Sequence, residues 1–464
     1  MSENHSKSKR KTGREWRAAA WAARHPLIST GVPALGYAAA TAPELSAAVA
    51  GTGLAAAIAW GRAHPDSFDH LVLPHLRNVR RRWLSTTYTG PGWRRNMREA
   101  NLVREHPSTG ELLVPRILRL RSYSAAVETV WVKTLKGQTL KHWIDAAEVL
   151  AACFNAERVT VEKIAPTRVA LVVQRREPFT YTIPAPAIPA TVEEVDLGSV
   201  HFGYDEFGRE WTESVVNNHL LVAGASGSGK NSVLWAPLFT LAPMIAAGSV
   251  RLWLCDPKQV ELNVAAPIAY RYASGEEASA EVVSEFLEDQ QATQAKLHEQ
   301  GLRKFTPSVE TPLNILIVDE LGAVLAYASD RMRMARNRQG MALVGSQGRA
   351  TGHLMWGAVQ EPTKDTVPVR DLFTLRVCLR VTAAVHPEMV LGDGARTRGA
   401  LADEIPNVGE TAGIGFKVVE RTRTPVRVRA AFATDEDLKA LVKFVLDERA
   451  ESDEQGGAHL RLVA

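Results

Sequence analysis

The sequence predicts an α/β protein. Its core is a parallel sheet built around a phosphate-binding loop, preceded by a small α+β domain and an N-terminal helical, membrane-associated segment. Three observations carry this. From Val195 onward, apolar strands alternate with helical stretches, the pattern of a parallel sheet. In that half AGASGSGKNS, Ala223–Ser232, joins a buried strand to a helix through a glycine loop. Between residues 111 and 177 the order is strand, strand, helix, strand, strand.

The bulk numbers fit a folded multidomain chain. Its 464 residues are 45% hydrophobic and 23% charged, which excludes a disordered or fibrous protein. The net charge is +4 and unevenly spread. Basic residues crowd 1–25 (Lys7, Lys9, Arg10, Lys11, Arg14, Arg17, Arg24) and recur at Arg77, Arg80, Arg81, Arg82, Arg94, Arg95 and Arg98. Such clusters suit anionic lipid or nucleic acid, or simply a solvated tail and helix face. Cys153, Cys255 and Cys378 lie far apart in apolar runs, so neither a disulfide framework nor a zinc site is expected.

After the basic tail (1–25), two Ala-rich apolar stretches, Leu27–Ala42 and Leu45–Trp60, flank Pro43-Glu44. Each is about 16 residues, short of the ~20 of a comfortable span, yet basic flanks on both sides suggest a transmembrane hairpin over 26–62 with both ends in the cytoplasm. The competing reading is a pair of Ala-rich helices in a soluble bundle. A basic helical connector (63–110) leads to the α+β domain (111–177). Its strands are expected at Leu112–Ser122, Val127–Leu135, Glu157–Ile164 and Arg168–Arg176, with a helix behind Thr139. The Pro-rich stretch 178–194 reads as a linker.

NHLLVAG (Asn218–Gly224) is a buried strand ending in the glycine loop, and Ser232–Gly248 begins a helix. This is the setting a phosphate loop needs: glycines turn backbone N–H groups onto phosphate oxygens and the helix start adds its dipole. Gly224, Ala225, Ser226, Gly227, Ser228, Gly229 and Lys230 fit, with Lys230 reaching the outer phosphates. Asn231 then stands where a Mg²⁺-binding hydroxyl is usual, with Ser232 one step later, so Asn231 and Ser232 both become candidate metal ligands. LNILIVDE (Leu313–Glu320) ends in two acids. Asp319 would hold the Mg²⁺ shell and Glu320 would act as general base for water attack on ATP, unless these acids merely cap the next helix. Arg251–Leu262 is another buried strand with Asp256, Lys258 and Glu261 at its end. Gln360 sits at a strand tip where it could sense the γ-phosphate.

AGASGSGK, DPKQVEL, LIVDEL, GRATGHL, AVQEP and DLFTLRVCLRV stand in the order found in FtsK/SpoIIIE-type DNA translocases, and the chain resembles that family over roughly 195–435. Upstream arrangement and size look like the FtsK-like transfer proteins of actinomycete plasmids and integrative elements. The resemblance implies a RecA-like P-loop ATPase core, a homo-hexameric ring, double-stranded DNA in the pore and an arginine finger supplied by a neighbour. Arg349, in the GRA motif, is the first choice for that finger, ahead of Arg376 and Arg396. Arg331, Arg333, Arg336 and Arg338 are one candidate set for pore contacts. The family's C-terminal winged-helix module is not expected, because only a helix (Asp435–Arg449) and a polar tail follow the core, within a final segment 436–464. The expected function is ATP-driven translocation of duplex DNA from the cell membrane, motor in the cytoplasm, in conjugative transfer. The alternatives are an ATPase moving single-stranded DNA or secreted protein, and an ATP-binding scaffold without turnover.

Overall fold

The computed structural model describes residues 40–64, 90–216, 218–327, 330–419 and 422–462, together with Tyr37, Val79 and Tyr88. The chain divides into two compact units, Met1–Arg80 and Arg81–Ala464.

In the first unit, α1 (Pro43–Ala63) begins at Pro43 behind a non-helical Ala42. Proline is pre-shaped for a first helical turn, so the chain breaks there. Among the described residues no helix is long and apolar enough to cross a membrane. The expected hairpin's second arm falls within α1, where Ala and Gly outnumber the larger apolar residues. The first arm and the basic tail lie almost wholly outside the described residues.

The second unit opens with α2 (Pro91–Glu99), which buries Trp93 and Met97 and leaves Arg94, Arg95 and Arg98 in solvent. A short antiparallel pair, β1 (Arg104–Glu105) and β2 (Leu112–Leu113), follows. Then come β3 (Arg116–Ser122), β4 (Val127–Lys133), α3 (Leu140–Asp145), α4 (Ala147–Phe154), β5 (Arg158–Ala165) and β6 (Arg168–Gln174). The four strands from β3 on form an antiparallel sheet in the order β3-β4-β6-β5. Its core holds Trp143, Leu150, Val130 and Leu171. The strand expected over Leu112–Ser122 is split at Val114-Pro115, where proline cannot donate to a ladder. The helix expected behind Thr139 is broken at Ala146.

The larger part of this unit contains β7 (Val200–Asp205), β8 (Glu210–Glu213), β9 (Leu220–Ala223), α5 (Lys230–Ala246), β10 (Val250–Asp256), β11 (Arg271–Ser274), α6 (Glu276–Glu299), β12 (Leu313–Val318), α7 (Leu321–Leu325), α8 (Arg331–Thr351), β13 (His353–Val359), β14 (Leu375–Leu379), α9 (His386–Leu391), β15 (Ile414–Val419), β16 (Thr424–Ala430) and α10 (Asp435–Leu462). One ten-stranded sheet runs β11-β10-β12-β13-β9-β14-β15-β16-β7-β8. From β11 to β14 every pairing is parallel. The remaining pairings are antiparallel. Short turns such as the one joining β7 to β8 allow only that sense, whereas helix crossovers give the parallel half.

Both faces of the sheet are covered, and β9 shows it by alternation. Leu220 and Val222 pack in one apolar cluster with Leu234 and Leu238 of α5 and Leu441 of α10. Leu221 and Ala223 pack in the other with Phe286 of α6 and Val344 of α8. The α+β domain is tied to this core by Arg158, which donates to the Gly399 carbonyl (2.7 Å) and to Glu206 (3.0 Å). The final helix is longer than the expected Asp435–Arg449, and Arg449 donates to the carbonyls of Ile245 and Ile268.

Candidate nucleotide site

β13 lies between β9 and β12. The carboxyl ends of three adjacent parallel strands therefore gather the glycine loop, Gln360 and the acids Asp319 and Glu320 at one edge of the sheet. In open α/β sheets that edge is where ligands bind.

The loop is stitched to both flanking strands. The Gly224 N–H donates to the Val359 carbonyl (3.0 Å) and the Ala225 N–H to the Arg380 carbonyl (2.8 Å). Gly229 has φ +86°, and a Cβ there would sit 2.3 Å from the Gly413 nitrogen. Only glycine satisfies both demands. The Gly413 N–H in turn donates to the Ser228 carbonyl (2.9 Å). The side chain of Ser228 is buried, and its Oγ has no hydrogen-bond partner among the described residues. Ser226 is held through its carbonyl, which accepts from Arg380 (2.6 Å). Lys230 opens α5, and its Nζ donates to the carbonyls of Gly224 (3.0 Å) and Ala225 (3.3 Å). Burial pulls its pKa down, against the pull of Glu320 and Asp319.

Asn231 uses its amide to donate to Glu261, in the segment after β10. Ser232, half-buried, sits one residue further along α5. Asp319 and Glu320 are both buried at the end of β12. Burial first, then the neighbouring Glu261 carboxylate, push Asp319 up to about 6 despite Lys258. A carboxyl so placed gains from a nearby divalent cation, which favours its ionised form. Among the described residues no group of three His, Cys, Asp or Glu could hold a metal alone. Asp319 with Asn231 or Ser232 would hold Mg²⁺, whose remaining ligands would be water and phosphate oxygens. Glu320 does two things. Its Oε1 accepts from the Gly322 N–H at the start of α7 (3.4 Å), and its Oε2 accepts from Lys258 (3.1 Å). The helix-capping contact and the contact to Lys258 are thus made by one side chain. Gln360 is half-buried just beyond β13.

Arg349 is not at this edge. It lies at the end of α8, before β13 begins, whereas Gln360 follows its end. Seven strand residues separate the two levels, roughly 20 Å. Arg349 instead acts on His219, just before β9. Burial and then the Arg349 charge push that imidazole down to about 4. Arg376 donates to the carbonyls of Phe373 and Val390, and Arg396 pairs with Asp403 and Glu404. Of the four arginines expected to crowd a pore, Arg331 and Arg336 are exposed, Arg333 pairs with Glu277, and Arg338 donates to the Leu325 carbonyl. The sequence reading missed Arg380 on the loop. Its only signal was a cation directly after the apolar run of β14, the strand beside β9.

Residues 196–413 match the FtsK/SpoIIIE family model. The DNA translocase FtsK of Streptococcus pyogenes serotype M3 (strain SSI-1) is 26% identical over 256 residues, covering 51% of this chain and 30% of that protein. The DNA translocase FtsK of Corynebacterium efficiens is 27% identical over 280 residues, covering 55% of this chain and 28% of that protein. The chain thus spans less than a third of the length of these curated relatives. Among solved structures, the pCW3 conjugation coupling protein TcpA, a monomer form with ATPγS, is 17% identical with a TM-score of 0.49, over 77% of this chain and 98% of that one.

Proposed function

We propose that this chain, whose residues 196–413 belong to the FtsK/SpoIIIE family, is an ATPase that drives double-stranded DNA through a ring of its own copies. The observation that carries the reading is the convergence of Lys230, Asp319, Glu320 and Gln360 at three adjacent strand ends. In it, the loop N–H groups and Lys230 bind the phosphates of ATP, with Mg²⁺ held by Asp319 and by Asn231 or Ser232. Glu320 takes a proton from the attacking water and Gln360 senses the γ-phosphate. Arg349, on the opposite edge of the sheet, suits a role on the nucleotide of a neighbouring copy. Six copies would make the ring, and exposed Arg331 and Arg336 are candidates to meet the DNA backbone, where phosphate contacts suffice without sequence readout.

Association with the cell membrane, motor on the cytoplasmic side, belongs to the same proposal. It rests on the apolar stretch Leu27–Ala42 and the basic residues that flank 26–62. Conjugative transfer is the narrower use proposed, supported by the resemblance to element-transfer proteins. The test is ATP hydrolysis by the full chain with duplex DNA, single strands and peptide. Strong stimulation by duplex alone, abolished in Lys230→Ala, is expected. Equal rates with and without DNA would sink the reading, and stimulation by single strands or peptide would replace the cargo.

A further inference from the structure

Among the described residues four arginines are buried: Arg158, Arg380, Arg427 and Arg429. Arg158 pairs with Glu206 and Arg427 with Glu177. Arg429 donates to the carbonyls of Phe179, Tyr181 and Glu410. Arg380 has a single acceptor among the described residues, the Ser226 carbonyl at 2.6 Å, and no carboxylate. Burying a guanidinium costs free energy unless its charge is met. Arg380 alone of the four has neither an acid nor several carbonyls to meet it, and it is the one that touches the glycine loop.

The carbonyl it holds belongs to a turn. The Ser228 N–H donates to the Ala225 carbonyl (3.2 Å), closing Ala225–Ser228 inside the loop. Gly227, third in that turn, has φ +73°, while Ser226 keeps a negative φ. This is the type II arrangement. Turning the Ser226–Gly227 peptide over makes the Gly227 φ negative and gives a type I turn, and glycine accepts both signs. Space does not choose between them. Apart from its adjoining residues, a Cβ on Gly227 would meet nothing nearer than Arg380 Nη2, at 4.0 Å. The choice matters to an anion, because a trans peptide points its carbonyl and its N–H in opposite directions. With the Ser226 carbonyl drawn to Arg380, the Gly227 N–H faces the other way. Turned over, the carbonyl takes that place, and a carbonyl repels the anion that a nest of N–H groups attracts. Arg380 itself is fixed by backbone: its carbonyl accepts from the Ala225 N–H (2.8 Å), and the next residue, Val381, donates to the Ala402 carbonyl (3.2 Å).

We propose that Arg380 is a positioning residue of the nucleotide loop. By holding the Ser226 carbonyl outward it keeps the Gly227 N–H turned to the phosphates, and its own charge, unmatched by an acid, adds to their attraction. The inference rests on reading the loop as the ATP site. Arg380 follows β14, on the side of β9 away from β13 and β12 with its acids. It therefore acts on phosphate binding and leaves the hydrolytic groups alone.

The test is calorimetric titration of inorganic tripolyphosphate into the full-length chain, with thermal unfolding of the same samples. Arg380→Gln is expected to weaken binding at least about tenfold. Its unfolding midpoint without tripolyphosphate should hold or rise, because a buried charge that no carboxylate meets has been removed. Gly227→Ala reaches the same peptide by another route. It makes no clash, but its Cβ disfavours φ +73°, so the turn goes over and binding falls while the fold is kept. In ATP hydrolysis both variants should raise KM and leave kcat unchanged. Undiminished binding in Arg380→Gln or in Gly227→Ala overturns the proposal. So does weakened binding in Arg380→Gln with a midpoint lowered by several degrees, the mark of a residue that merely pins the fold. Failure of the ATP reading looks different: tripolyphosphate then binds the wild-type chain no better than it binds Lys230→Ala, and the role of Arg380 falls with it. Binding lost in Lys230→Ala yet kept in Arg380→Gln removes Arg380 alone.

Discussion

The Lys258 ammonium donates to the Glu320 carboxylate at 3.1 Å, across from the capping contact that the same carboxylate makes with Gly322. Under the proposed mechanism, the residue that takes a proton from water is thus already paired with a cation on one side. Lys258 is half-exposed and Glu320 buried, so the pair contributes under about 1 kcal/mol to stability. Glu320→Gln keeps the shape and the Gly322 contact but removes the base. Nucleotide binding should survive while turnover falls roughly 10²- to 10⁴-fold. Fluorescent-nucleotide titration beside a phosphate-release assay checks this. Loss of both together would make Glu320 structural.

Gly229→Ala tests the loop itself. The new Cβ would meet the Gly413 backbone at 2.3 Å while φ stays at +86°. Strain and overpacking together should remove about 2–4 kcal/mol of stability, or else shift the loop enough to abolish nucleotide binding. Thermal unfolding with and without nucleotide separates the two outcomes. An unchanged midpoint with unchanged binding contradicts the packing described.

Position 231 is open to a direct experiment. Asn231 is engaged with Glu261, so its replacement by Ser frees Glu261 and returns the usual hydroxyl. ATPase activity should be kept or raised, with less Mg²⁺ needed for half-maximal rate. Ser232→Ala in each background then tells which side chain meets the metal. If the Mg²⁺ dependence is the same in all variants, water alone completes the shell.

His219 gives a pH dependence of stability. It is fully buried, its Nδ1 accepts from the Met355 N–H (3.0 Å), and its pKa falls from 6.5 to about 4. Between those values the unfolded chain binds the proton that the folded chain refuses, so stability drops as pH is lowered through this window. The total is about 3 kcal/mol. Urea unfolding at pH 7 and pH 4.5 should show a smaller loss in His219→Gln than in the original chain. Equal losses would assign the acid sensitivity to other groups.

The strands of the parallel half were legible because runs such as Leu313–Val318 are apolar on both faces, a pattern that surface elements do not show. The antiparallel half was not. Nothing in the sequence of Val200–Asp205 says that it will pair with a strand more than 200 residues away, because pairing partners are chosen by the assembled core. The same holds at the site. Lys230 and the acids announce their chemistry by type and spacing, whereas the grips of Glu261 on Asn231 and of Arg380 on Ser226 join residues that only the fold brings together. Breaks at Pro115 and Ala146 reflect local geometry too fine for periodicity to reveal.

Lys230 already has two partners, the carbonyls of Gly224 and Ala225. A phosphate must therefore displace ready-made contacts rather than meet a bare ammonium, and the net gain is smaller than the new ion pair alone. A triphosphate, with more charge to offer, competes with those carbonyls better than a diphosphate does. As the spent nucleotide loosens, the lysine can fall back on its own loop. Under the proposed function, departure is made easier by the very groups that arrival had to push aside, a useful bias for a cycle that must end in release.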